Sequence, residues 1–282
     1  MIAFGCLTVQ AQALEISAGD YEPLPPGMNA LLLYFQHAES SDFYNRGDKV
    51  SDSFNLKTDV SLLRYIHSIG AGENAVVEPQ FILPYGHLRA SGDASALGQT
   101  TGTGDIILGV PVKWTLNTAN KDIFSLAPYL YVPTGSYDRN DALNLGENRW
   151  RLLLQGAYIH HFNAEWALDT AIDVSWFSHN ADYSANSATL RQETRYEYQA
   201  YLRYNLSTQT QFAIGAGRVE GGKTSVNGID QDDRTGTTYA RVMATQMLTP
   251  SVQMQVEAGR DIEVEQGFKE QARINLRVAK LF

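Results

Sequence analysis

The sequence of 282 residues lacks any long apolar run, and the stretch ALLLYF at 30–35 is among the longest that it contains. A helix that crosses a membrane needs roughly 18 or more consecutive apolar residues. The sequence therefore excludes a helical membrane protein. It does not exclude a membrane barrel, because barrel strands alternate apolar and polar residues.

An excess of basic residues is also lacking, since the formal net charge is −9 and the pI is near 5.1. A protein that binds DNA or RNA needs basic side chains to neutralise rows of phosphates. We therefore exclude nucleic acid as a partner.

Cysteine occurs once, at Cys6, within the N-terminal stretch MIAFGCLTVQAQALE. This stretch is typical of the apolar end of a secretory signal, followed by the cleavage site Ala11-Gln12-Ala13, although a charged n-region is missing. We interpret residues 1–13 as a signal-peptide remnant, in preference to a native first strand. A lipoprotein anchor at Cys6 is a weaker alternative, because position 3 is an alanine. After cleavage the chain would contain no cysteine, which suits an exported bacterial protein.

Tyrosine and glycine are abundant, with 15 and 23 residues, which favours β-structure. Long alternations of apolar and polar residues, such as the C-terminal stretch QARINLRVAKLF, predict strands, and no stretch shows a helical stripe. We place about twelve strands. They lie near 29–36, 54–66, 75–85, 104–116, 123–134, 149–162, 165–177, 194–206, 210–219, 237–248, 251–261 and 271–282.

The connections between these strands alternate between short and long. The short ones are 67–74, 116–121, 162–165, 207–210 and 249–251, and the long polar ones are 37–53, 86–102, 135–148, 178–193 and 220–235. Tight periplasmic turns and larger external loops are typical of an up-and-down antiparallel β-barrel in a bacterial outer membrane. The sequence therefore predicts an all-β transmembrane barrel over residues 29–282.

Residues 14–28 precede the first strand and contain three prolines. They cannot form a central strand, because proline offers no donor to the ladder. We interpret them as a periplasmic N-terminal segment, which either hangs in the periplasm or folds back into the lumen.

One face of the strands is charged. It carries Lys57, Asp59, Asp105, Lys113, Arg151, Asp169, Asp173, Glu197, Arg203, Arg241, Glu257, Arg273 and Arg277. A soluble barrel of this size would enclose only apolar side chains around a large void. In a membrane the apolar face meets lipid and the charges line a hydrated interior. Aromatic girdles at the two interfaces are expected from Trp150, Phe162, Trp166, Trp176, Tyr196, Tyr204 and Phe282.

Motifs of enzymes and of cofactor sites are absent or incomplete. The stretch TGTGDIILG at 101–109 has neither the glycine spacing of a dinucleotide loop nor the Gly-Lys-Ser/Thr of a phosphate loop. Asp169 and Asp173 would lie roughly 13 Å apart on one strand, too far for glycoside cleavage. His160 and His161 must point to opposite faces, so they cannot share a metal. We therefore predict no catalytic residue, no cofactor and no metal site.

The loop at 228–236 leaves one alternative open. It contains Asp230, Asp232 and Asp233, and calcium prefers such clusters of oxygen ligands, but no glutamate follows at the end of the loop. We interpret it as a solvated loop, with calcium binding as the alternative.

Three stretches in the 100–165 region, TGTGDIILGVPVKW, YLYVPTGSYD and NLGENRW, resemble the MetA-pathway of phenol degradation family. The matching positions are Gly104, Asp105, Pro133, Thr134, Gly135, Gly146, Asn148 and Trp150, which we expect to be structural. The resemblance implies a bacterial outer-membrane protein that transports phenolic or other aromatic or hydrophobic compounds.

The terminal Phe282 resembles the C-terminal signal that the barrel assembly machinery reads, with apolar residues at alternate positions before it. Lys280 departs from that pattern, but a lysine so close to the end can snorkel to the interface. The resemblance implies the assembly machinery as a partner, beside outer-membrane lipid and a small-molecule solute.

Taken together, these patterns predict an outer-membrane channel for passive uptake or efflux of small organic solutes. A barrel of about twelve strands should leave a narrow lumen that selects by size and charge. The residues that we expect to contact solute, or else to pack the wall, are Tyr129, Tyr131, Arg151, Asp169, Asp173, Glu197, Tyr201 and Arg203. The alternative is a closed structural or adhesive barrel that acts through its external loops.

Overall fold

A computed structural model describes residues 16–282. The predicted signal-peptide remnant at 1–13 and Cys6 lie outside these residues. Among the described residues, the structure contains no helix with the length and hydrophobicity that crossing a membrane would require.

Twelve antiparallel strands form a closed barrel. They are β1 Asn29–Asn45, β2 Phe54–His67, β3 Gln80–Gly92, β4 in three pieces (Gln99–Thr103, Ile106–Gly109 and Val112–Thr115), β5 Ile123–Val132, β6 Arg151–His161, β7 Trp166–Phe177, β8 Arg195–Asn205, β9 Thr210–Gly221, β10 Thr235–Thr249, β11 Val252–Val264 and β12 Gly267–Leu281. Each strand pairs with the next in the chain, and β12 pairs with β1 from Leu281↔Ala30 to Gly267↔Tyr44. The predicted fold and the predicted pairing of the last strand with the first are therefore confirmed.

Two of the predicted long connections are mostly strand. β1 continues to Asn45, and a short strand at Asp48–Ser51 folds back onto it, so 37–53 is largely an extended hairpin. β3 runs to Gly92 and β4 starts at Gln99, so 86–102 is likewise largely strand. Both stretches are polar because these strand ends extend the barrel wall beyond its apolar band. Polarity alone predicted loops here, and this was wrong.

The predicted strand at 75–85 is divided in two. Ala75–Val77 pairs with the last piece of β4, and β3 begins only at Gln80. Pro79 lies at the break, where it has no N–H to donate to a ladder. The break turns Glu78 into the barrel, where only 1% of it is exposed.

The alternation of faces agrees with a barrel that is apolar outside and charged inside. Exposed side chains along the wall include Leu33, Leu152, Ile172, Ile214 and Val242, whereas Arg151, Asp173, Arg203, Arg241 and Arg277 are buried within it. Of the seven predicted girdle aromatics, Tyr204 is half-buried and the other six are exposed, namely Trp150, Phe162, Trp166, Trp176, Tyr196 and Phe282. Lipid on the outside accounts for both patterns.

Lys57 and Asp59 do not belong to the inner face, so the prediction for these two residues was wrong. Leu56 and Val60, on the alternate positions of β2, are the buried ones. On the outer side Lys57 pairs with Glu39 at 2.5 Å, and Asp59 accepts a hydrogen bond from His37 at 2.7 Å. Because these charges satisfy one another on the extended ends of β1 and β2, this part of the wall does not need to face the lumen.

Two external loops form a separate sheet of four short strands. Asn180–Tyr183 pairs with Ala188–Gln192, which pairs with Thr224–Val226, which in turn pairs with Ile229–Asp230. The stretches 178–194 and 222–234 are therefore joined to each other on the side of the long connections.

Candidate functional site: the barrel lumen

Residues 16–28 lie inside the barrel at the end with the short turns. Ile16 and Tyr21 are buried in one cluster with wall residues of the lumen, among them Leu62, Tyr129 and Leu153. Of the two positions that the sequence left open for this segment, the structure shows the one inside the lumen. The segment forms no strand, because its prolines and turns leave it without a ladder partner.

Asp20 connects this N-terminal segment to two strands. Its carboxylate accepts a hydrogen bond from Arg277 of β12 at 2.6 Å and lies 3.8 Å from Arg64 of β2. Burial acts to raise the pKa of Asp20, but the two guanidinium charges outweigh it and hold the pKa below its usual range. Asp20 is therefore charged at neutral pH.

Glu22 forms a second anchor. Its Oε1 accepts hydrogen bonds from Arg203 of β8 at 2.6 Å and from His161 of β6 at 2.9 Å. Arg203 also contacts Asp169 at 3.2 Å, and the Asp169 carboxylate accepts the N–H of Gly19 at 2.6 Å. Burial acts to raise the pKa of Glu22, but its cationic partners outweigh it and lower the pKa to about 2.

A third anchor is a buried ion pair. Lys113 Nζ lies 2.8 Å from Glu78, and both side chains are almost fully buried. Lys113 also donates to the backbone oxygens of Asp20 and Glu22, at 2.9 and 3.1 Å, and Glu78 accepts the N–H of Leu24 at 2.8 Å. Side chains of the wall, and not strand pairing, therefore hold the segment.

Three inward-facing tyrosines lie flat on glycines of neighbouring strands. A Cβ at Gly109 would meet the Tyr129 ring at 2.4 Å, and one at Gly215 would meet the Tyr201 ring at 2.3 Å. Tyr239 covers Gly217 in the same manner, at 2.3 Å. The missing glycine side chains thus make room for aromatic rings against the wall, which narrows the lumen without filling it.

The eight residues predicted to contact solute all point into the barrel. Tyr129, Tyr131, Arg151, Asp169, Asp173, Tyr201 and Arg203 are buried, and Glu197 is half-buried and accepts a hydrogen bond from Tyr239 at 2.7 Å. The predicted direction of these side chains is therefore confirmed. Their role toward a solute stays a prediction.

Arginines gather at the other end of the lumen, beneath the long loops. Arg149, Arg151 and Arg195 surround the ring of Phe177, and Arg151 also lies 4.4 Å from the centroid of Tyr131. Glu147 lies beside Arg149 at 2.7 Å. Burial acts to raise the pKa of Glu147, but the Arg149 and Arg151 charges outweigh it and lower the pKa below its usual value.

The residues that carry the family resemblance form a compact turn behind these arginines. Asp105 accepts the N–H of Gly135 and the N–H of Glu147, each at 2.9 Å. A Cβ at Gly135 would lie 2.7 Å from the Cα of Gly146, so neither position has room for a side chain. The turn also uses Thr134, which accepts the N–H of Ile106 at 3.1 Å, so this motif fixes the path of the long loop.

Other family positions have separate roles. Asn148 has a positive φ of 52° and donates from its side chain to Asn180 at 3.1 Å. Trp150 is exposed on the outer face. Gly104 packs against Pro84, and a Cβ at Gly104 would lie 2.9 Å from the Cβ of Pro84.

The three aspartates of the 228–236 loop do not converge. Asp230 pairs with Lys223 at 2.6 Å, Asp232 pairs with Arg46, and Asp233 accepts both the N–H and the hydroxyl of Thr224. Within residues 16–282, no group of three metal-ligating side chains is close enough to hold an ion. The geometry thus favours the solvated loop over the calcium alternative.

Sequence reasoning missed the anchors Asp20, Glu22 and Glu78 and the mouth residues Arg149 and Arg195. One signal was present: Asp20 and Glu22 are acids in a proline-rich segment, while basic residues lie near the short-turn ends of several strands. Opposite charges on a tethered segment and on a barrel wall indicate docking.

A closed, lipid-facing barrel of twelve antiparallel strands with a charged interior is an outer-membrane β-barrel protein. The family model for the MetA-pathway of phenol degradation matches residues 40–278. The chain belongs to this family, and its location is the bacterial outer membrane.

Solved structures of other outer-membrane proteins have the same fold. The crystal structure of an outer membrane channel from Pseudomonas putida F1 is 44% identical in sequence and has a TM-score of 0.94, with 95% of this chain and 100% of that chain covered. The β domain of the Bordetella autotransporter BrkA, at 10% identity and a TM-score of 0.57, covers 90% and 99% of the two chains. A monoaromatic hydrocarbon channel, CymD, at 11% identity and a TM-score of 0.51, covers 92% and 90%. The last two similarities show the fold alone.

The outer membrane channel from Pseudomonas putida F1, at 44% identity, supports a channel role. No curated protein matches the chain significantly.

Proposed function

We propose that this protein is a passive outer-membrane channel for small organic solutes, and that phenolic and other aromatic compounds are among them. The family and the similar Pseudomonas channel support the channel role. Aromatic side chains beside charged ones in the lumen support the solute class, since rings of Tyr131 and Phe177 lie next to guanidinium groups.

The observation that carries the proposal is how the N-terminal segment is held. It occupies the short-turn end of the lumen through the Asp20, Glu22 and Lys113 contacts, with no strand pairing to the wall. These contacts are a few separate side-chain interactions and not a continuous ladder of backbone hydrogen bonds, so each can break without the others. The segment therefore restricts the passage and can yield to a solute.

Reconstitution tests this. Protein in planar bilayers should conduct ions weakly, and liposomes that contain it should admit phenol faster than a sugar of similar mass. Absence of current at every voltage, together with unaltered solute entry, would exclude a channel. Growth on phenolic compounds, with and without the protein, then tests the solute class in the cell.

The second candidate is a closed barrel that acts through its external loops. The separate sheet formed by 180–192 and 224–230 favours it, since paired loops can present a defined surface. In that case deletion of part of this sheet would abolish surface binding, and liposomes that contain the protein would admit no solute before or after the deletion.

A further inference from the structure

Three guanidinium groups converge on one phenylalanine at the external mouth of the lumen. The Cζ atoms of Arg149, Arg151 and Arg195 lie 4.6, 5.5 and 6.0 Å from the centroid of the Phe177 ring. The long loop before β6 supplies Arg149, and the strands β6 and β8 supply the other two arginines. Like charges repel one another, so three neighbouring guanidinium groups need negative charge nearby to offset their repulsion.

Among residues 16–282, one carboxylate lies within ion-pair distance of these three charges. Glu147 accepts hydrogen bonds from Arg149 Nε and Nη2, and it lies 4.0 Å from Arg151. Arg151 donates otherwise to the hydroxyl of Ser175 at 3.0 and 3.2 Å. Positive charge therefore exceeds negative charge at this mouth.

Arg195 contacts the Phe177 ring but has no hydrogen-bond or ion-pair partner in the part of the chain that the structure describes. Only 8% of it is exposed, yet no acceptor lies within hydrogen-bond distance of its guanidinium among residues 16–282, and no carboxylate lies within ion-pair distance there. The Nη1 of Arg149 is likewise buried without a partner in this part of the chain. A buried cation without a partner is costly, and a bound anion would supply the missing charge.

Deeper carboxylates do not fill this role. Asp173 and Glu197 pair with each other in the ladder, two positions along the strands from Ser175 and Arg195. Glu197 already accepts a hydrogen bond from Tyr239 at 2.7 Å. The lumen thus has a cationic layer at the mouth and an anionic layer below it, which would hold an anion at the first layer.

A cavity of about 440 Å³ lies beside this cationic layer, on the other side of Phe177 and Gln192 from the three arginines, which do not line it themselves. Phe177 and Gln192 line it, and both also contact the cluster, since Gln192 accepts a hydrogen bond from Arg149. Arg191 and Lys223 add positive charge to the cavity wall, and Glu193 and Asp230 balance them. The volume lies within the range of roughly 300–1,000 Å³ typical of small-molecule sites.

We propose that this mouth binds the carboxylate form of a single-ring aromatic compound, with the ring on Phe177 and the carboxylate at Arg195 and Arg149. This inference rests on the proposed channel function and names a solute class for it. A guanidinium recognises a planar carboxylate through two parallel hydrogen bonds, and an aromatic side chain recognises the ring. A neutral phenol would satisfy only the second contact.

Binding is measured first, because it does not depend on conduction. Calorimetry measures the binding of benzoate as it is titrated into the folded protein in a non-ionic detergent. We expect benzoate to bind. Benzyl alcohol, which has the ring without the charge, should bind about tenfold or more weakly, given the usual worth of hydrogen bonds to charged groups. Cyclohexanecarboxylate, which has the charge without the aromatic ring, should be intermediate.

Variants locate the site. Arg195→Gln should weaken benzoate binding about tenfold or more, while Arg195→Lys, which keeps the charge but not the planar fork, should weaken it less. Phe177→Leu should abolish the preference for benzoate over cyclohexanecarboxylate. The matched control is Arg218→Gln, because Arg218 is an outward-facing arginine of β9 and its loss changes the net charge equally. Heat-modifiable gel migration verifies that each variant is folded.

The outcomes separate the two proposals. Benzoate binding that Arg195→Gln weakens, in a protein without current or solute entry, supports this site and refutes the channel. Solute entry without benzoate binding supports the channel and refutes this site. Equal binding of inorganic phosphate and benzoate would overturn the aromatic class, and an unaltered Arg195→Gln protein would overturn the location.

Discussion

Arg277 of the last strand donates a hydrogen bond at 2.6 Å to the carboxylate of Asp20, a residue 257 positions earlier in the chain. The Arg277 side chain is buried and that of Asp20 is 14% exposed, and Arg64 of β2 adds a second positive charge at 3.8 Å from Asp20. Asp20 therefore joins β2 and β12, the two strands that flank β1 in the closed barrel. The N-terminal segment is thus docked beside the seam at which β12 and β1 close the wall.

Replacement of Asp20 should release this segment. Asp20→Asn removes a charge-assisted hydrogen bond, which costs about 1.5–3 kcal/mol, so the undocked population should rise about tenfold or more. Planar-bilayer recordings should then show a larger or more frequently open conductance. Asp52→Asn, at an exposed position near the hairpin at 48–51, serves as the control. Identical conductance in both variants would show that Asp20 does not retain the segment.

Acidification should act on the same segment through Glu22. Its pKa falls from 4.5 to about 2 on docking, so this contribution to docking is complete above pH 4.5 and is lost as the pH falls through about 2. Conductance should therefore be steady down to about pH 4 and should rise only in stronger acid. A Glu22→Gln protein should lack this transition. If its pH profile matches that of the unaltered protein, another group controls docking.

Asp105 should be essential for the turn that the family motif builds. Asp105→Ala leaves the N–H groups of Gly135 and Glu147 without their acceptor, and each unsatisfied buried donor costs about 1–3 kcal/mol. Urea unfolding should show lower stability of the folded barrel. Asp105→Asn keeps one acceptor oxygen, so its free energy of unfolding should fall by about half as much as that of Asp105→Ala. A stability equal to that of the original protein would refute this role.

The tyrosine–glycine contacts predict a difference between two glycine substitutions. Gly215→Ala places a methyl group in the space of the Tyr201 ring, and overpacking of this kind typically costs about 1–3 kcal/mol. Gly156→Ala, on the outer face of β6, has nothing within 4 Å and should be neutral or slightly stabilising. Unfolding in urea compares the two. Equal stability would mean that the Tyr201 ring moves without cost.

Phe282 is predicted to act in assembly. Its backbone pairs with Asn29 through bonds of 2.8 and 3.0 Å, while its side chain is 61% exposed. Phe282→Ser keeps the backbone pairing, so a drop in the outer-membrane content would indicate recognition of the side chain. Phe162→Ser, at an equally aromatic exposed turn, should have a smaller effect. Similar losses in both variants would indicate membrane anchoring instead.

The barrel could be predicted because its physical cause is repeated in every strand. Along the strands, apolar residues such as Ile274 face outward and charged residues such as Arg273 face inward, because lipid surrounds the barrel. Lys57 and Asp59 broke this pattern, since beyond the apolar band the outer face meets water and tolerates charge. Strand length was therefore underestimated where polarity was the only signal.

The site was less predictable because distant segments build it. The contact between Glu22 and Arg203 spans 181 positions, and alternation within one strand contains no information about it. The cluster at Phe177 combines a loop arginine with two strand arginines. The direction of Arg151 could be predicted from β6, but its neighbours Arg149 and Arg195 depend on the path of a loop.

The pairing of β12 with β1 also limits which insertions and deletions this sequence can accept during evolution. Within the regular part of a strand, an inserted or deleted residue that no β-bulge absorbs reverses the side chains beyond it and moves the seam at Leu33↔Val278 out of register. The error cannot be absorbed at a free edge, because a closed barrel has none. Insertions and deletions should therefore be confined to the loops, and length variation among relatives should map the strand boundaries that composition alone could not place.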